Sequence, residues 1–314
     1  MTVPGSVDNR PALVVICGPT AVGKTALALD LAEACGGEII SADSRQVYRL
    51  MDIGTAKPTT AEQQRVKHHL IDIAWPDEEF HAARFVTLAR EAVDVICRRT
   101  GRPFLVGGTG LYIRALTAGL LQAPAADPEL RRQLHTRAAQ EGRCALHAEL
   151  AAVDPVSAAR LHPNDLVRIV RALEVHRQSG RSLAALQDEH AFSGQPYRIL
   201  KIGMDLERDE LYRRIDRRAE AMFAQGLPEE AETLLQAGYE PALKALQTIG
   251  YRQAFAMLRG EMTRDDALAD LKQATRRYAK QQLTWFRKDK SIIWLESSAD
   301  FVTIRKLVVE FHAI

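Results

Sequence analysis

The stretch "VVICGPTAVGKTAL", residues 14–27, constrains this chain more than any other. It carries G-x-x-x-x-G-K-[ST] as Gly18, Gly23, Lys24 and Thr25, with Pro19, Thr20, Ala21 and Val22 between them. Such a loop turns successive backbone N–H groups and a helix N-terminus onto one anion. Lys24 adds a point charge, and Thr25 can ligate a phosphate-bound magnesium ion. The loop functions only between a buried strand and a helix, and the sequence predicts both. "LVVICGP" (residues 13–19) is a short continuous apolar run, as in a buried parallel strand. "KTALALDLAEAC" follows with apolar residues at helical spacing and is stopped by Gly36 and Gly37. A chance glycine-rich turn would need neither neighbour.

The same alternation continues. "EIISADS" (38–44), "HHLIDIA" (68–74) and "PFLVGGTG" (103–110) read as strands, and "ARFVTLAREAVDVICRRTG" reads as a helix capped by Gly101. This argues an α/β fold with a parallel sheet and helices on both faces. The chemistry is then expected at the carboxyl ends of the strands. From about Gly119 to Gln195 the signals become almost entirely helical. Asp127 can cap and Pro128 suits a first helical position. A second helix starts at Asn164 or Asp165 and ends at Gly180. The expected organisation is a core of residues 1–118 and 196–314 interrupted by a helical insertion, 119–195. "YRILKIGMDLE" (197–207) and "IIWLE" (292–296) return as strands, with helices rich in Arg and Lys between them.

The chain has 314 residues, enough for one large domain or two ordinary ones. A net charge of +2 means that any nucleic-acid affinity must come from a local patch. Cys17, Cys35, Cys97 and Cys144 stand far apart without a C-x-x-C pair, so buried free thiols are expected rather than a zinc knuckle. The amino terminus has no basic region followed by an apolar core, and no apolar run is long enough to cross a bilayer. These features predict a cytoplasmic protein.

Four further segments carry chemistry. Asp43 falls at the end of the second predicted strand, facing the phosphate crevice. A carboxylate there can accept a proton or hold magnesium through water, or simply cap a turn with Ser44. In "GGTGLY" (107–112) consecutive glycines allow the backbone close to a ligand, and Thr109 offers a hydroxyl or a helix cap. The His68–His69 pair invites a metal reading, but neighbouring strand residues point to opposite faces. Asp72 can instead be read as a magnesium-holding aspartate at a strand end. The helix "RRYAKQQLTWFRKDK" mixes Arg276, Lys280, Arg287 and Lys288 with Tyr278, Trp285 and Phe286. That mixture suits a nucleic-acid backbone and splayed bases, or an ordinary helix with a basic outer face. In "RRIDRR" (213–218), Arg214 and Arg218 share a helix face and can close over a diphosphate or lie in solvent.

Together these segments resemble one family, the bacterial tRNA dimethylallyltransferases, also called tRNA isopentenyltransferases. The resemblance runs over nearly the whole chain. Beyond the loop it is carried by "ISADSRQVYRLMDIGTAKP", "HHLID", "GGTGLY", "HPNDLVRIVRALEV", "IGYRQ" and "YAKQQLTWFR". It implies a fold like the P-loop kinases with a helical insertion that clamps a tRNA anticodon stem-loop. It also implies transfer of a five-carbon group from dimethylallyl diphosphate to N6 of adenine 37, with magnesium on the diphosphate. By this resemblance Asp43 is the general base and Thr109 a second active-site contact. Arg214 and Arg218 match the family's R-I-x-x-R helix, where an arginine stabilises the leaving diphosphate. Residues matching tRNA contacts are Asp43, Ser44, Arg45 and Gln46, then Thr109 and Arg131. Val167, Arg168, Ile169, Val170 and Arg171 match a further contact segment, as do Gln247, Thr248, Ile249, Gly250, Tyr251 and Arg252. Val22 replaces the commoner serine of the loop, where the backbone does the binding. The chain lacks the Cys/His set of the zinc finger that eukaryotic relatives carry. A monomer is expected. The phosphate loop alone also permits a small-molecule kinase, and decay of the site would leave a non-catalytic tRNA-binding protein.

Overall fold

The computed structural model describes residues 8–121, 123–190, 195–296 and 300–313. Residues 1–7, part of the stretch read for a leader, and 191–194, the end of the predicted insertion, lie outside the described residues. Contacts divide the chain into two compact units, Met1–Thr117 with Gln195–Ile314, and Ala118–Gly194.

The first unit holds six strands: β1 (Ala12–Cys17), β2 (Glu38–Ser41), β3 (His68–His69), β4 (Pro103–Gly107), β5 (Arg198–Asp205) and β6 (Ile292–Glu296). They form one sheet in the order β3-β2-β4-β1-β5-β6, and every pairing is parallel. Between the early strands run α1 (Lys24–Cys35), α2 (Thr60–Arg65), α3 (Ala82–Arg99) and, after β4, α4 (Gly110–Ala118). The second unit contains α5 (Pro128–Glu141), α6 (Arg143–Val153), α7 (Pro155–Arg160), α8 (Leu166–Ser179) and α9 (Leu183–His190). The first unit resumes after β5 with α10 (Arg208–Ala224), α11 (Leu227–Gln236), α12 (Tyr251–Leu258) and α13 (Arg264–Phe286), and closes with α14 (Phe301–Ala313).

The central strands are apolar throughout because both sheet faces are covered. Val14, Ile16, Phe104, Val106, Leu200 and Ile202 enter one cluster with Leu29, Leu31, Ile215 and Val308 from the helices. The alternate residues Leu13, Val15 and Leu105 are also fully buried, on the opposite face. One strand is shorter than its sequence suggests. β3 stops after His69, since Leu70 and Asp72 both take positive φ, 63° and 55°. The apolar residues that follow leave the ladder, with only a bridge between Tyr48 and Ala74.

No helix among the described residues is long and apolar enough to cross a membrane. All four cysteines are free thiols; Cys17 and Cys35 are buried, but Cys144 is exposed, unlike the buried thiols expected.

The helical unit starts where its caps predict. Asp127 accepts from the amides of Glu129 (2.9 Å) and Leu130 (3.0 Å), and Asp165 from the amide of Arg168 (3.4 Å). Its core is Leu134, Leu146, Leu150, Ile169, Val170 and Leu173. At its edge the fully enclosed Glu174 accepts from Arg131 Nε and Nη2, both 2.9 Å, from Arg171 Nη1 (2.5 Å) and from the Asp127 amide (2.7 Å). Burial pushes the Glu174 carboxyl up, but these hydrogen bonds together outweigh it and hold the group below its usual value.

A carboxyl whose pKa is depressed on folding stabilises the fold above its unfolded pKa and loses that contribution as the pH falls. Glu174→Gln should therefore destabilise the protein at pH 7 by about 1–3 kcal/mol, discounted because both guanidinium groups reach solvent. In urea unfolding followed by circular dichroism, the gap from wild type should narrow as pH drops below the usual carboxyl value of 4.5.

Candidate active site

The loop between β1 and α1 takes left-handed backbone at Gly18 (φ 139°), Ala21 (64°) and Gly23 (104°). At Gly18 a side chain is impossible for a second reason: its Cβ would fall 2.7 Å from the Met204 carbonyl on β5. Lys24 lies along the loop, its Nζ donating to the Pro19 carbonyl at 2.6 Å. Burial and the nearby Arg218 guanidinium push the Lys24 ammonium down to about 8. The Thr25 hydroxyl lines the same cleft and has no hydrogen-bond partner among the described residues.

The phase of α10 separates the four arginines of residues 213–218. Arg218 reaches the loop, donating from Nη1 to Thr20 Oγ1 at 3.1 Å. Arg214 stands one turn earlier, its Nη1 3.9 Å from where a Gly23 Cβ would be. Arg213 and Arg217 lie on the exposed side and pair with Glu210 at 2.8 and 3.2 Å, a carboxylate that also receives Arg214 Nε at 3.1 Å.

Asp43 lies two residues past the end of β2, in the same cleft. Its Oδ1 accepts from the amides of Arg45 (2.8 Å) and Gln46 (3.4 Å). One oxygen thus fixes the turn, and no hydrogen bond among the described residues engages the other. The Asp43 charge raises the pKa of both Lys24 and Arg218, whose own burial pulls them down. It also acts on Tyr278, which burial first and then Asp43 push up to about 12. These four side chains thus share one field. Thr109 follows the cleft-lining Gly108 but does not itself line the cleft: its Oγ1 accepts from the Ser44 amide at 3.1 Å, and its carbonyl starts α4.

The cleft encloses about 450 Å³. Against its charged groups it sets apolar side chains, among them Ile39, Val106, Ile215, Met222 and Leu271. Such a space fits a ligand with an anionic head and a short hydrocarbon body.

The segments matched to RNA contacts divide by burial. Ser44, Arg45, Gln46, Gln247, Thr248, Ile249 and Arg252 line the cleft. Gln46 is also tied down, accepting from Ser41 Oγ (3.0 Å) and donating to the Ala56 carbonyl (3.1 Å). Gly250 and Tyr251 are enclosed, which corrects their assignment as contact residues. The Tyr251 hydroxyl donates to Glu230, which also accepts from the amides of Asp52, Ile53 and Gly54 at 3.0, 2.8 and 3.1 Å. In the helical unit Val167 and Arg168 are exposed and Arg131 and Arg171 partly so, whereas Ile169 and Val170 are core. Helical periodicity explains that split: a run of five consecutive residues cannot face one side.

The glycines of "GGTG" serve a different partner from the one expected. A Cβ would meet the Ala42 carbonyl at 2.2 Å from Gly107, Gln282 Nε2 at 2.2 Å from Gly108, and the Trp285 ring at 2.2 Å from Gly110. Gly108 and Gly110 admit the protein's own α13 and Gly107 the Ala42 backbone, while Gly107 and Gly108 also line the cleft. Gln282, which residue-type reasoning passed over, accepts from the Thr20 amide at 2.8 Å and donates to the Gly108 carbonyl at 2.9 Å. Its four-residue spacing from Tyr278, which lines the cleft, is the signal that places it.

The metal reading of the histidine pair is not supported. His68 contacts the Val66 carbonyl and His69 the Glu38 carboxylate, each at its own site. Asp72 pairs with Lys57 at 2.5 Å, a lysine also held by Asp52 and the Tyr48 carbonyl. The described residues contain no group of three metal-ligating His, Cys, Asp or Glu side chains. On α13 the two readings divide by side chain. Phe286 is core, Arg276 pairs with Asp216 and Arg287 with Asp205 (3.2 Å), while Tyr278 and Trp285 remain 37 % exposed.

A family model described as IPP transferase matches residues 46–289. A tRNA dimethylallyltransferase of Geobacter metallireducens is 54 % identical over 97 % of this chain and 99 % of its own length. One from Citrifermentans bemidjiense is 54 % identical over 98 % and 99 %. The solved full-length tRNA isopentenylpyrophosphate transferase of Bacillus halodurans superposes with a TM-score of 0.72 at 40 % identity, covering 97 % of each chain. A eukaryotic dimethylallyltransferase acting on tRNA gives 0.77 at 25 % identity, over 96 % of this chain and 77 % of that one.

An anion in the loop favours charged Lys24, so affinity should fall once pH rises through its free value of about 8. Calorimetric titration with inorganic diphosphate should show about tenfold weaker binding at pH 9 than at pH 7, relative to Lys24→Met at each pH. Lys24→Met should bind more weakly at pH 7. An equal pH dependence in both proteins would remove Lys24 from the anion site.

Proposed function

The chain belongs to the IPP transferase family, and on that premise we propose that it transfers the dimethylallyl group of dimethylallyl diphosphate to N6 of adenine 37 in tRNA, releasing diphosphate. The observation that carries this reading is one cleft holding the phosphate loop with Lys24 and Arg218, the Asp43 carboxylate, and apolar walls. An anionic leaving group, a proton acceptor and room for a five-carbon chain are the parts this reaction needs.

In the step, the adenine N6 forms a bond to the first prenyl carbon as that carbon's bond to the diphosphate oxygen breaks. The electron pair leaves with the diphosphate. An exocyclic amine is a poor nucleophile, so its proton is accepted as the bond forms, by Asp43 through the oxygen the turn leaves unengaged. Loop N–H groups, Lys24, Arg214 and Arg218 stabilise the charge that develops on the leaving oxygens. Thr109 holds the Ser44 amide, directly after Asp43.

Thr25 would hold magnesium through its hydroxyl, an oxygen ligand of the kind that ion takes. When bound it would neutralise diphosphate charge. The reacting base must leave its stack at a cost of a few kcal/mol, which is cheaper in a single-stranded anticodon loop. Cleft-lining Arg45, Gln247 and Arg252 suit the RNA near the reacting base, and exposed Val167 and Arg168 with partly exposed Arg131 and Arg171 suit its stem. A tRNA substrate suits a monomeric cytoplasmic enzyme.

Unmodified tRNA incubated with the protein, magnesium and dimethylallyl diphosphate should gain one prenyl unit on the adenosine beside the anticodon, read by mass spectrometry. No gain would overturn the reading. Transfer of a labelled γ-phosphate from ATP would favour a kinase instead. Asp43→Ala should lower turnover by about 10²–10⁴-fold with tRNA affinity retained; near-normal turnover would remove Asp43 as the base.

A further inference from the structure

We propose that Gln282 is a positioning residue that bolts the phosphate loop to the β4–α4 turn and so sets the spacing between leaving group and nucleophile. The inference rests on the prenyl-transfer reading, since it assigns a residue to the geometry of that reaction.

The side chain is only 6 % exposed, and both ends of its amide are used. Oε1 takes the Thr20 N–H at 2.8 Å, and Nε2 donates to the Gly108 carbonyl at 2.9 Å. These partners lie 262 and 174 residues away in sequence, on two separate segments of the site. On the leaving-group side, Thr20 also receives Arg218 through its hydroxyl, so fixing its backbone fixes where that guanidinium anchors. On the nucleophile side, Gly108 precedes Thr109, whose hydroxyl holds the Ser44 amide directly after Asp43. A single amide thus stands between the chain that carries the diphosphate contacts and the chain that carries the base.

The fit is specific to this side chain. A residue larger than glycine at 108 would place its Cβ 2.2 Å from Gln282 Nε2. Among side chains of this length only an amide both donates and accepts; a carboxylate cannot donate, and a thioether can do neither usefully. The Thr20 amide is also withdrawn from the anion, so the loop's remaining donors define where the diphosphate sits. A displacement of about 1 Å between reacting groups can cost about 100-fold in rate, so a bolt that sets this distance acts on turnover.

Gln282→Met removes both bonds, and Gln282→Glu keeps the acceptor but turns an oxygen against the Gly108 carbonyl. Steady-state prenyl transfer to unmodified tRNA is measured for wild type and both variants from about pH 6 to pH 8. Gln282→Met should lose about 10- to 100-fold in kcat with the KM for tRNA within about twofold. Gln282→Glu should recover toward wild type as the pH is lowered, because the protonated acid again donates and accepts. A merely structural role would not give that recovery. Retention of kcat within about threefold in folded Gln282→Met would overturn the proposal. Inorganic diphosphate binding is measured in parallel, and Gln282→Met should bind at least about fivefold more weakly. If wild type binds diphosphate but transfers no prenyl group, the function fails and this affinity difference alone decides the bolt: no weakening overturns it.

Discussion

Everything at this site depends on placing two cations and one carboxylate in one cleft. Burial disfavours Lys24 and Arg218 as charged groups, and the Arg218 guanidinium further disfavours charged Lys24; Asp43 offsets part of that cost. The balance is a site with more positive than negative charge, which a diphosphate relieves on entry. The parallel sheet makes this arrangement possible. β1 and β2 end at Cys17 and Ser41 on the same edge, so the loop after one and the Asp43 turn after the other open into a common space.

Holding that edge rigid falls to residues far from it in sequence. The wall formed by Gly54, Thr55, Ala56 and Pro58 has no strand or helix of its own. It is held by Glu230, which gathers three successive amides and the Tyr251 hydroxyl, and by Lys57, whose ammonium is enclosed between Asp52 and Asp72. Gln46 then links the wall back to β2 through the Ala56 carbonyl and Ser41. A loop built this way satisfies its polar groups with side chains instead of a ladder, as buried backbone must.

What was legible in the sequence was local. The phosphate loop announced itself through glycine spacing and its flanking strand and helix. Asp127, Asp165, Gly36 and Gly180 stand where their capping chemistry predicts. The six strands were visible as apolar runs, although positive φ at Leu70 and Asp72 ended β3 earlier than its apolar content implied. What was not legible depends on distant packing. The run Arg213–Arg218 gives no phase until α10 docks, after which Arg214 and Arg218 face the loop and Arg213 and Arg217 face solvent. Ile169, Val170 and Tyr251 sit within matched contact segments, yet their burial follows from the neighbours that cover them.

The glycine-rich turn at 107–110 shows why motif and role separate. Its glycines have the look of a ligand cradle, and a cradle is formed, but by a helix from the far end of the chain. Gly108 and Gly110 receive Gln282 and Trp285, while Gly107 lies against the Ala42 backbone just before Asp43. Removing side chains from this turn therefore brings three segments to van der Waals distance: the β2 turn with its carboxylate, the phosphate loop through Gln282, and α13. These glycines let backbone elements close on one another, and Gly107 and Gly108, which also line the cleft, define the ligand's space by how tightly those elements close.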